Sequence, residues 1–264
     1  MELKRNSKGE ITEVNPLRTR KGTVYIKGSN TIFRISRSKF TNFLECKRCF
    51  YLERKLKIKG ISSSGHPINS RVDKMLKNEF NFYREKQEPH PIFKKYNLNF
   101  VPLNDPKLED YRKNRIGVRA KSIKTNYELF GALDDLWLNK DNNEVVVLDY
   151  KATSNMKEIN YVNSKMSYHK GYLRQLDFYA YLLKLNKYKV FKKGYWVVCN
   201  AARSEQKVFE GKLDFGIEIL SYDLKTDYIE DTLVELEKCY NSENIPPLNP
   251  YCDACRWQKE TSKL

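Results

Sequence analysis

The chain has 264 residues, which is enough for one large domain or two small ones. It carries 49 Lys and Arg against 33 Asp and Glu, and it contains no apolar run near the roughly 20 residues that span a bilayer. The basic N-terminus lacks the apolar segment of a secretory signal, so the sequence predicts a cytoplasmic protein whose six cysteines are reduced or metal-bound. The formal charge of +16 favours nucleic acid as a partner, although a Lys-rich composition alone gives the same balance.

The chain begins with a polar, basic segment that leads into a predicted helix. Residues 1–30 contain one strand-like piece at 23–27, as in a basic arm or an edge hairpin. Ser36 is a suitable N-cap for a helix that runs into the sequence CKRCFYLERKLKIK. The apolar face of this helix comprises Phe40, Phe43 and Leu44.

A second helix is predicted at residues 69–85, and an irregular segment follows it. Four prolines between residues 88 and 121 predict an irregular connection that wraps the sheet. Asp73 lies beside the apolar stripe of the helix. That stripe, which we expect in the core, comprises Val72, Met75, Leu76, Phe80 and Tyr83.

The centre of the chain predicts a β-hairpin. Residues 129–138 and 145–151 are apolar and β-branched enough to form strands, and NKDNNE between them is typical of a tight turn. A two-residue turn centred on Asp141 and Asn142 gives cross-strand partners whose numbers sum to 283. Both faces of both strands are apolar, which indicates a sheet covered on two sides.

This register places two carboxylates and an ammonium on one face of the hairpin. Asp134 lies opposite Asp149, and Lys151 shares their face. A shift of one residue would bring Asp135 there instead of Asp134. The alternative to a functional cluster is a surface carboxylate pair that the lysine neutralises.

Two carboxylates inside a covered sheet repel each other and are desolvated unless a cation lies between them. Mg²⁺ or Mn²⁺ would supply that cation, because such ions prefer carboxylate oxygens. Lys151 could then orient a water nucleophile or offset charge on a phosphate under attack.

The second half of the chain predicts a helix, two strands and a closing helix. The helix at residues 168–185 carries an apolar stripe together with Gln175, which on a surface helix would be a solvated side chain. Strands at 189–200 and 207–222 and a helix at 226–240 complete an α/β fold with a mixed central β-sheet flanked by helices. The alternating apolar residues of the second strand are Leu213, Phe215, Ile217 and Ile219.

Cysteines form two metal-type pairs at opposite ends of the chain, Cys46-x-x-Cys49 and Cys252-x-x-Cys255. One site built from both pairs could hold a [4Fe–4S] cluster or a structural Zn²⁺ ion, and reduced, partly buried thiols are the alternative. Cys199 and Cys239 are expected in the core.

Four segments occur in the order of a known family. Gly131 leads to Asp134, Asp149-Tyr150-Lys151 ends a strand, and Gln175 and Tyr179 follow on a helix. The segment ISRSKFTNFLECKRCFYL is similar to the family's N-terminal Ser-x-Ser, Phe, Cys-Pro-x-x-Phe-Tyr-Leu, with Lys47 in place of proline. In these features the chain resembles the PD-(D/E)XK nuclease superfamily, and within it the RecB-like exonuclease branch, which is related to the CRISPR-associated adaptation exonucleases.

The resemblance implies a single domain over residues 1–264. Its restriction-endonuclease-like core would lie at 127–222, after a helical N-terminal region and before a Cys-bearing tail at 241–264. Some relatives hold an iron–sulfur cluster with one N-terminal and three C-terminal cysteines, whereas this chain offers two and two.

The same resemblance implies a metal-dependent DNA nuclease, most simply an exonuclease in DNA repair, recombination or the processing of phage and mobile-element DNA. Asp134 and Asp149 would bind the metal and Lys151 would be the orienting cation. Gln175 would position the site, with Tyr179 packed beside it. A helicase or recombination partner is implied too; a catalytically inactive DNA-binding subunit and an RNA nuclease are the alternatives.

Asp73 occupies the position where this branch of the family usually has a metal-binding His. A carboxylate suits Mg²⁺ at least as well as imidazole does, which makes Asp73 a candidate third ligand.

Overall fold

A computed structural model describes residues 3–17, 25–27, 32–58, 60, 67–201, 208 and 210–263. Within these residues the strands are β1 (Arg34–Ser36), β2 (Phe100–Pro102), β3 (Val118–Lys121), β4 (Glu128–Gly131), β5 (Asp135–Asn139), β6 (Glu144–Thr153), β7 (Lys193–Asn200) and β8 (Gly216–Asp223). The helices are α1 (Arg37–Glu45), α2 (Lys47–Arg54), α3 (Pro67–Lys86), α4 (Pro91–Lys95), α5 (Leu108–Tyr111), α6 (Ser167–Leu185), α7 (Tyr228–Asn241) and α8 (Asp253–Thr261).

Two mixed sheets organise the fold. The larger has the strand order β2-β5-β6-β7-β8, in which β6 and β7 are parallel and the other pairs are antiparallel. The smaller has the order β1-β4-β3, with β1 parallel to β4. The predicted mixed α/β fold with flanking helices is confirmed. Among the described residues, no helix is both long and apolar enough to cross a bilayer.

The hairpin of β5 and β6 has the predicted register. Its pairs run from Asp135 with Leu148 to Asn139 with Glu144, so partner numbers sum to 283. The connecting loop has four residues rather than two, and it closes where Asn143, at φ 57°, donates its amide hydrogen to the Asn139 carbonyl. Because the loop is longer by one residue on each side, the register does not change.

The predicted strand at residues 129–138 is in fact two strands, β4 and β5, which belong to different sheets. The chain leaves the smaller sheet at Gly131 and enters the larger one at Asp135. The ring of Tyr179 lies so close to Gly131 that a Cβ there would be 2.6 Å from the tyrosine Cε1. A glycine is therefore needed at this crossing.

Apolar side chains cover both faces of the central hairpin, as predicted. Leu136 and Val147 belong to one core, which also contains residues of α1, α6 and α7. Trp137, Val146 and Leu148 belong to a second core, closed by residues of α3 and α4. Charged groups on β5 and β6 therefore have little access to water.

The predicted first helix is interrupted at Cys46. Ser36 caps α1 as expected, since its hydroxyl accepts a hydrogen bond from the Lys39 amide at 3.2 Å. Cys46 is extended, at φ −155° and ψ 104°, and its sulfur accepts from the Cys49 amide at 3.4 Å. Cys46 thus ends one helix and caps the next.

Residues 88–121 are more regular than predicted, because they contain α4, β2, α5 and β3. Pro102 is tolerated in β2 because this strand lies at the edge of the larger sheet. Met75 is 58% exposed, so its place in the predicted core of α3 is wrong. Leu213 is exposed as well and precedes β8, which begins at Gly216.

The strand-like piece predicted at residues 23–27 is absent where the chain is described. Tyr25 to Lys27 are not in a strand, and residues 23 and 24 lie outside the described part. Tyr25 instead stacks on Tyr240 with ring centroids 4.6 Å apart.

Candidate active site

Asp134 and Asp149 meet at the end of the central hairpin. Asp149 lies on β6 and is 1% exposed, and Asp134 immediately precedes β5, where the hairpin register places it opposite Asp149. The two carboxyl groups lie close enough for each to shift the pKa of the other. Asp134 Oδ2 also accepts from the Tyr150 amide at 3.1 Å, which fixes the orientation of its carboxylate.

The side-chain amide of Gln175 forms hydrogen bonds with both motif residues of β6, Asp149 and Lys151. Gln175 on α6 donates from Nε2 to Asp149 Oδ1 at 2.5 Å and accepts at Oε1 from Lys151 Nζ at 3.3 Å. Lys151 also forms an ion pair with Asp149. Gln175 is buried, so the interpretation of this residue as a solvated surface side chain is wrong.

Tyr179 lies one turn further along α6, behind Gln175. Its hydroxyl is 3.4 Å from Gln175 Nε2, and its ring packs on Gly131. It is almost fully buried and does not line the cleft described below. Its position suits support of Gln175 rather than contact with a substrate.

Asp73 joins the cluster through a residue that sequence reasoning missed. Lys77 lies one turn after Asp73 on α3, with its ammonium 2.8 Å from Asp73 Oδ1 and 3.0 Å from Asp134 Oδ1. An Asp and a Lys four residues apart on a helix commonly pair, and that spacing was the available signal. Lys77 supplies a second cation beside Lys151.

The two central carboxyl groups differ in acidity. Burial raises the pKa of Asp149 to about 7; Lys151 lowers it in part and the neighbouring Asp134 raises it further. Burial also opposes ionisation of Asp134, but Lys77, the hydrogen bond with Asp149, and Lys151 together lower its pKa. Two carboxylates in contact thus keep their full negative charge near neutral pH only if additional positive charge reaches them.

Asp135 belongs to a different cluster on the opposite face. Its carboxylate is fully buried and forms ion pairs with Arg84 and with Arg112, the latter at 2.9 Å. It also accepts from the Tyr150 hydroxyl at 2.6 Å and from the Leu136 amide at 2.8 Å. The ambiguity between the two neighbours is resolved, because Asp134 alone faces Asp149.

Arg112 connects this cluster to the candidate site. Its Nε donates to the Asp134 carbonyl at 2.9 Å, so the same guanidinium that pairs with Asp135 also holds the backbone of its neighbour. Nothing in the sequence around Arg112 indicated this role.

A cleft of about 340 Å³ opens over the cluster. It lies between the N-terminal half of α3, the end of β6 and the start of α6. The residues that line it are Asn69, Ser70, Val72, Asp73, Leu76, Tyr150, Lys151, Ala152 and Tyr172. The ammonium of Lys151 lies 4.3 Å from the centre of the Tyr172 ring, so the cleft presents a cation and an aromatic face to an incoming group.

The four paired cysteines also come together. Their sulfur atoms all lie within 4.8 Å of one another, although the two pairs are more than two hundred residues apart in the chain. Cys199 is buried, as predicted, and Cys239 is partly buried against the core.

The family model of the PD-(D/E)XK nuclease superfamily matches residues 68–259, which is most of the chain. This chain belongs to the PD-(D/E)XK nuclease superfamily. No curated protein matches it. Among solved structures, one described as the crystal structure of SSO0001 is 16% identical, covers 89% of this nuclease and 87% of its own chain, and has a TM-score of 0.37.

The carboxylate oxygens of Asp134 and Asp149 suit a divalent cation, but among the described residues Asp73, Asp134 and Asp149 do not come together as a ligand group in the way that the four cysteines do. Asp73 adds a third carboxylate, joined to Asp134 through Lys77, and the ammonium groups of Lys77 and Lys151 form ion pairs with the three aspartates. One negative charge remains if all three are ionised, and hard oxygen donors suit Mg²⁺ or Mn²⁺. The roles of the individual residues stay predictions.

Proposed function

We propose that the protein is a Mg²⁺- or Mn²⁺-dependent DNA nuclease that degrades DNA from an end. The observation that carries the proposal is the convergence of Asp134, Asp149, Lys151 and Gln175 in one largely buried cluster, from which Lys151 reaches the wall of a cleft. A buried carboxyl such as Asp149, whose pKa burial raises to about 7, beside a second carboxyl and a lysine is typical of a functional site.

Asp134 and Asp149 would hold the ion, and Asp73 would complete the site from α3. A divalent ion bound there supplies Lewis acidity toward a phosphate oxygen and an attacking water. Asp73 reaches Asp134 through the shared ammonium of Lys77, so an entering cation would compete with that lysine for the same oxygens.

Lys151 is placed to act on the substrate. Its ammonium is held by Asp149 and by Gln175 while it faces the cleft. A lysine fixed in this way can donate to a phosphate oxygen and offset the charge that grows there during attack. Gln175 is a positioning residue, since it sets the direction of both Asp149 and Lys151 without lining the cleft.

The cleft suits an unpaired strand. Tyr172 faces it, and Tyr168, one turn earlier on α6 and 55% exposed, lies with its ring centroid 5.9 Å from that of Tyr172. Aromatic rings beside a basic groove are the usual platform on which unpaired bases stack. Arg71 and Lys74 on α3, exposed to solvent, can add phosphate contacts.

Degradation from an end is supported by the order of the motifs, which resembles the RecB-like exonuclease branch. Roles in repair, recombination or the processing of phage and mobile-element DNA, with a helicase or recombination partner, are proposed on the same resemblance. A site that needs reduced thiols at the four cysteines favours a cytoplasmic location.

The experiment measures cleavage of four substrates: linear single-stranded DNA, circular single-stranded DNA, linear duplex DNA and single-stranded RNA. The linear substrates are end-labelled, and each reaction contains Mg²⁺, Mn²⁺ or excess EDTA. We expect cleavage of linear single-stranded DNA with either ion and none with EDTA. The Asp149→Asn variant should lose activity, whereas Asp214→Asn, a control at an exposed aspartate, should retain it.

Several outcomes would contradict the proposal. Activity in EDTA would contradict the metal requirement, and cleavage of circular DNA would contradict degradation from an end. Preferred cleavage of RNA would replace the substrate. DNA binding with no cleavage under any condition would favour the inactive DNA-binding subunit.

A further inference from the structure

The four paired cysteines lie where the junction of α1 and α2 meets the start of α8. Cys46 and Cys255 are buried, and Cys49 and Cys252 are partly buried. The sulfur atoms of Cys46 and Cys255 are 3.6 Å apart, those of Cys49 and Cys252 3.6 Å, and those of Cys49 and Cys255 3.8 Å. None of the six separations exceeds 4.8 Å.

These distances match ligands that share one metal ion. Four thiolates around a tetrahedral Zn²⁺ at a metal–sulfur distance of about 2.3 Å have sulfur atoms about 3.8 Å apart. The closest separations in the protein agree with this value, so a single ion requires little movement of the side chains.

An iron–sulfur cluster needs more room. In a [4Fe–4S] cluster each of the four cysteines binds a different iron. The separation between the irons therefore increases the distance between the cysteine sulfur atoms to on the order of 6 Å. In a [2Fe–2S] cluster two cysteines bind one iron and the other two bind the second iron, so the two pairs of cysteine sulfur atoms are still far apart. Because all six separations here are short, neither cluster fits without outward displacement of the helices that carry the cysteines.

Both pairs also occupy helix starts. Cys46 is the N-cap of α2 and Cys252 is the N-cap of α8, so Cys49 and Cys255 fall in the first turns of these helices. The Cys49 amide donates to the Cys46 sulfur at 3.4 Å, and the four sulfur atoms lie near the positive ends of two helix dipoles, which favours thiolates. Such support is needed, because four thiolates around a divalent ion leave a net charge of about −2.

We propose that Cys46, Cys49, Cys252 and Cys255 hold one tetrahedral Zn²⁺ ion rather than the iron–sulfur cluster that the family resemblance implies. The ion is structural, since four thiolates fill its coordination positions and leave none for a substrate. It joins the α1–α2 junction to α8.

Most other attachments of the tail at this junction precede α8, including those of Ser242 with Tyr51 and Lys55. Asn249 donates to the Glu45 carbonyl at 3.1 Å, and Arg48 donates to the Pro246 carbonyl at 2.9 Å and to Gln258 at 3.2 Å. Within α8 the one buried residue is Cys255. The docking of α8 therefore depends on the ion, and its binding free energy contributes to the stability of the tail.

The first measurement is the composition of the full chain purified without oxygen: zinc and iron by mass spectrometry, acid-labile sulfide, and the visible spectrum. We expect one zinc per chain, no sulfide and no absorption in the visible range. The same zinc content in the Asp149→Asn variant would assign the ion to the cysteines rather than to the carboxylates. Iron with sulfide in comparable amounts would overturn the proposal, and one iron without sulfide would overturn the assignment to zinc.

The second measurement uses the Cys252→Ser, Cys255→Ser double variant, with Cys239→Ser as the control, because Cys239 is a partly buried thiol outside the cluster. The double variant should lose its zinc and release α8 to limited proteolysis, and the control should keep both zinc and resistance. If the double variant does not fold, titration of wild-type thiols with a mercurial while a zinc-sensitive dye is present should release one zinc per chain. Zinc retained in the double variant, or none released from wild type, would overturn the proposal. These readouts do not involve DNA cleavage, so they are independent of the proposed nuclease function.

Discussion

The neighbouring residues Asp134 and Asp135 should respond in opposite ways to the same substitution. Asp135→Asn should destabilise the fold, because its carboxylate compensates two buried guanidinium groups, Arg84 and Arg112. Asp134→Asn should leave the fold nearly intact and abolish cleavage, because its carboxylate faces Asp149 and, in the proposed function, binds the metal ion.

The expected loss in the free energy of unfolding of Asp135→Asn follows from the contacts of the Asp135 carboxylate. An asparagine keeps one acceptor oxygen for three donors, Arg84, the Tyr150 hydroxyl and the Leu136 amide, and it loses the charge that pairs with Arg112. Removing one partner from a buried ion pair costs about 3–5 kcal/mol. For a domain of this size that corresponds to a fall in Tm of roughly 10 °C. Asp134→Asn loses an ion pair with a partly exposed lysine but also loses repulsion from Asp149, so we expect a change within about 1 kcal/mol.

The assay is urea unfolding of both variants together with cleavage of labelled DNA at a temperature where each is folded. Folded Asp135→Asn should retain cleavage within a few-fold of wild type. Equal losses of stability in the two variants would refute the separation of the clusters. Full activity of Asp134→Asn would refute its role as a metal ligand.

Three further substitutions test other contacts. Lys151→Met should abolish turnover but keep DNA binding, measured by fluorescence anisotropy; retained turnover would exclude its role toward the phosphate. Gly131→Ala should cost about 1–3 kcal/mol in chemical unfolding because the new Cβ meets Tyr179, and a second change, Tyr179→Leu, should recover part of that loss. Tyr168→Ala should weaken binding of single-stranded DNA by about 1–3 kcal/mol, with a salt slope equal to that of wild type because no phosphate contact is removed; unchanged affinity would argue against stacking at this position.

The sequence predicted the centre of the fold well because period-two patterns and motif order are local signals. The hairpin register, the helix that carries Gln175 and the cap at Ser36 all follow from residues close in the chain. The crossing at Gly131 was missed, since an unbroken apolar run does not reveal that two sheets divide it.

What the sequence could not predict depends on contacts over long separations. Arg84 and Arg112 reach Asp135 from distant segments, and neither lies in a recognisable motif. The closeness of the two cysteine pairs likewise depends on where the tail docks.

Tyr150, the middle residue of Asp-Tyr-Lys, limits how freely this motif can vary. Its side chain donates to Asp135 and packs on Phe80, while its amide donates to Asp134. Phenylalanine would keep the ring contact but leave a buried carboxylate oxygen without a donor, and a small residue would open a void beside α3. Position 150 should therefore tolerate few substitutions, although Tyr150 has no part in the proposed chemistry. Selection of active variants from a library randomised at residues 149–151 should recover tyrosine at position 150 nearly as often as it recovers Asp149 and Lys151.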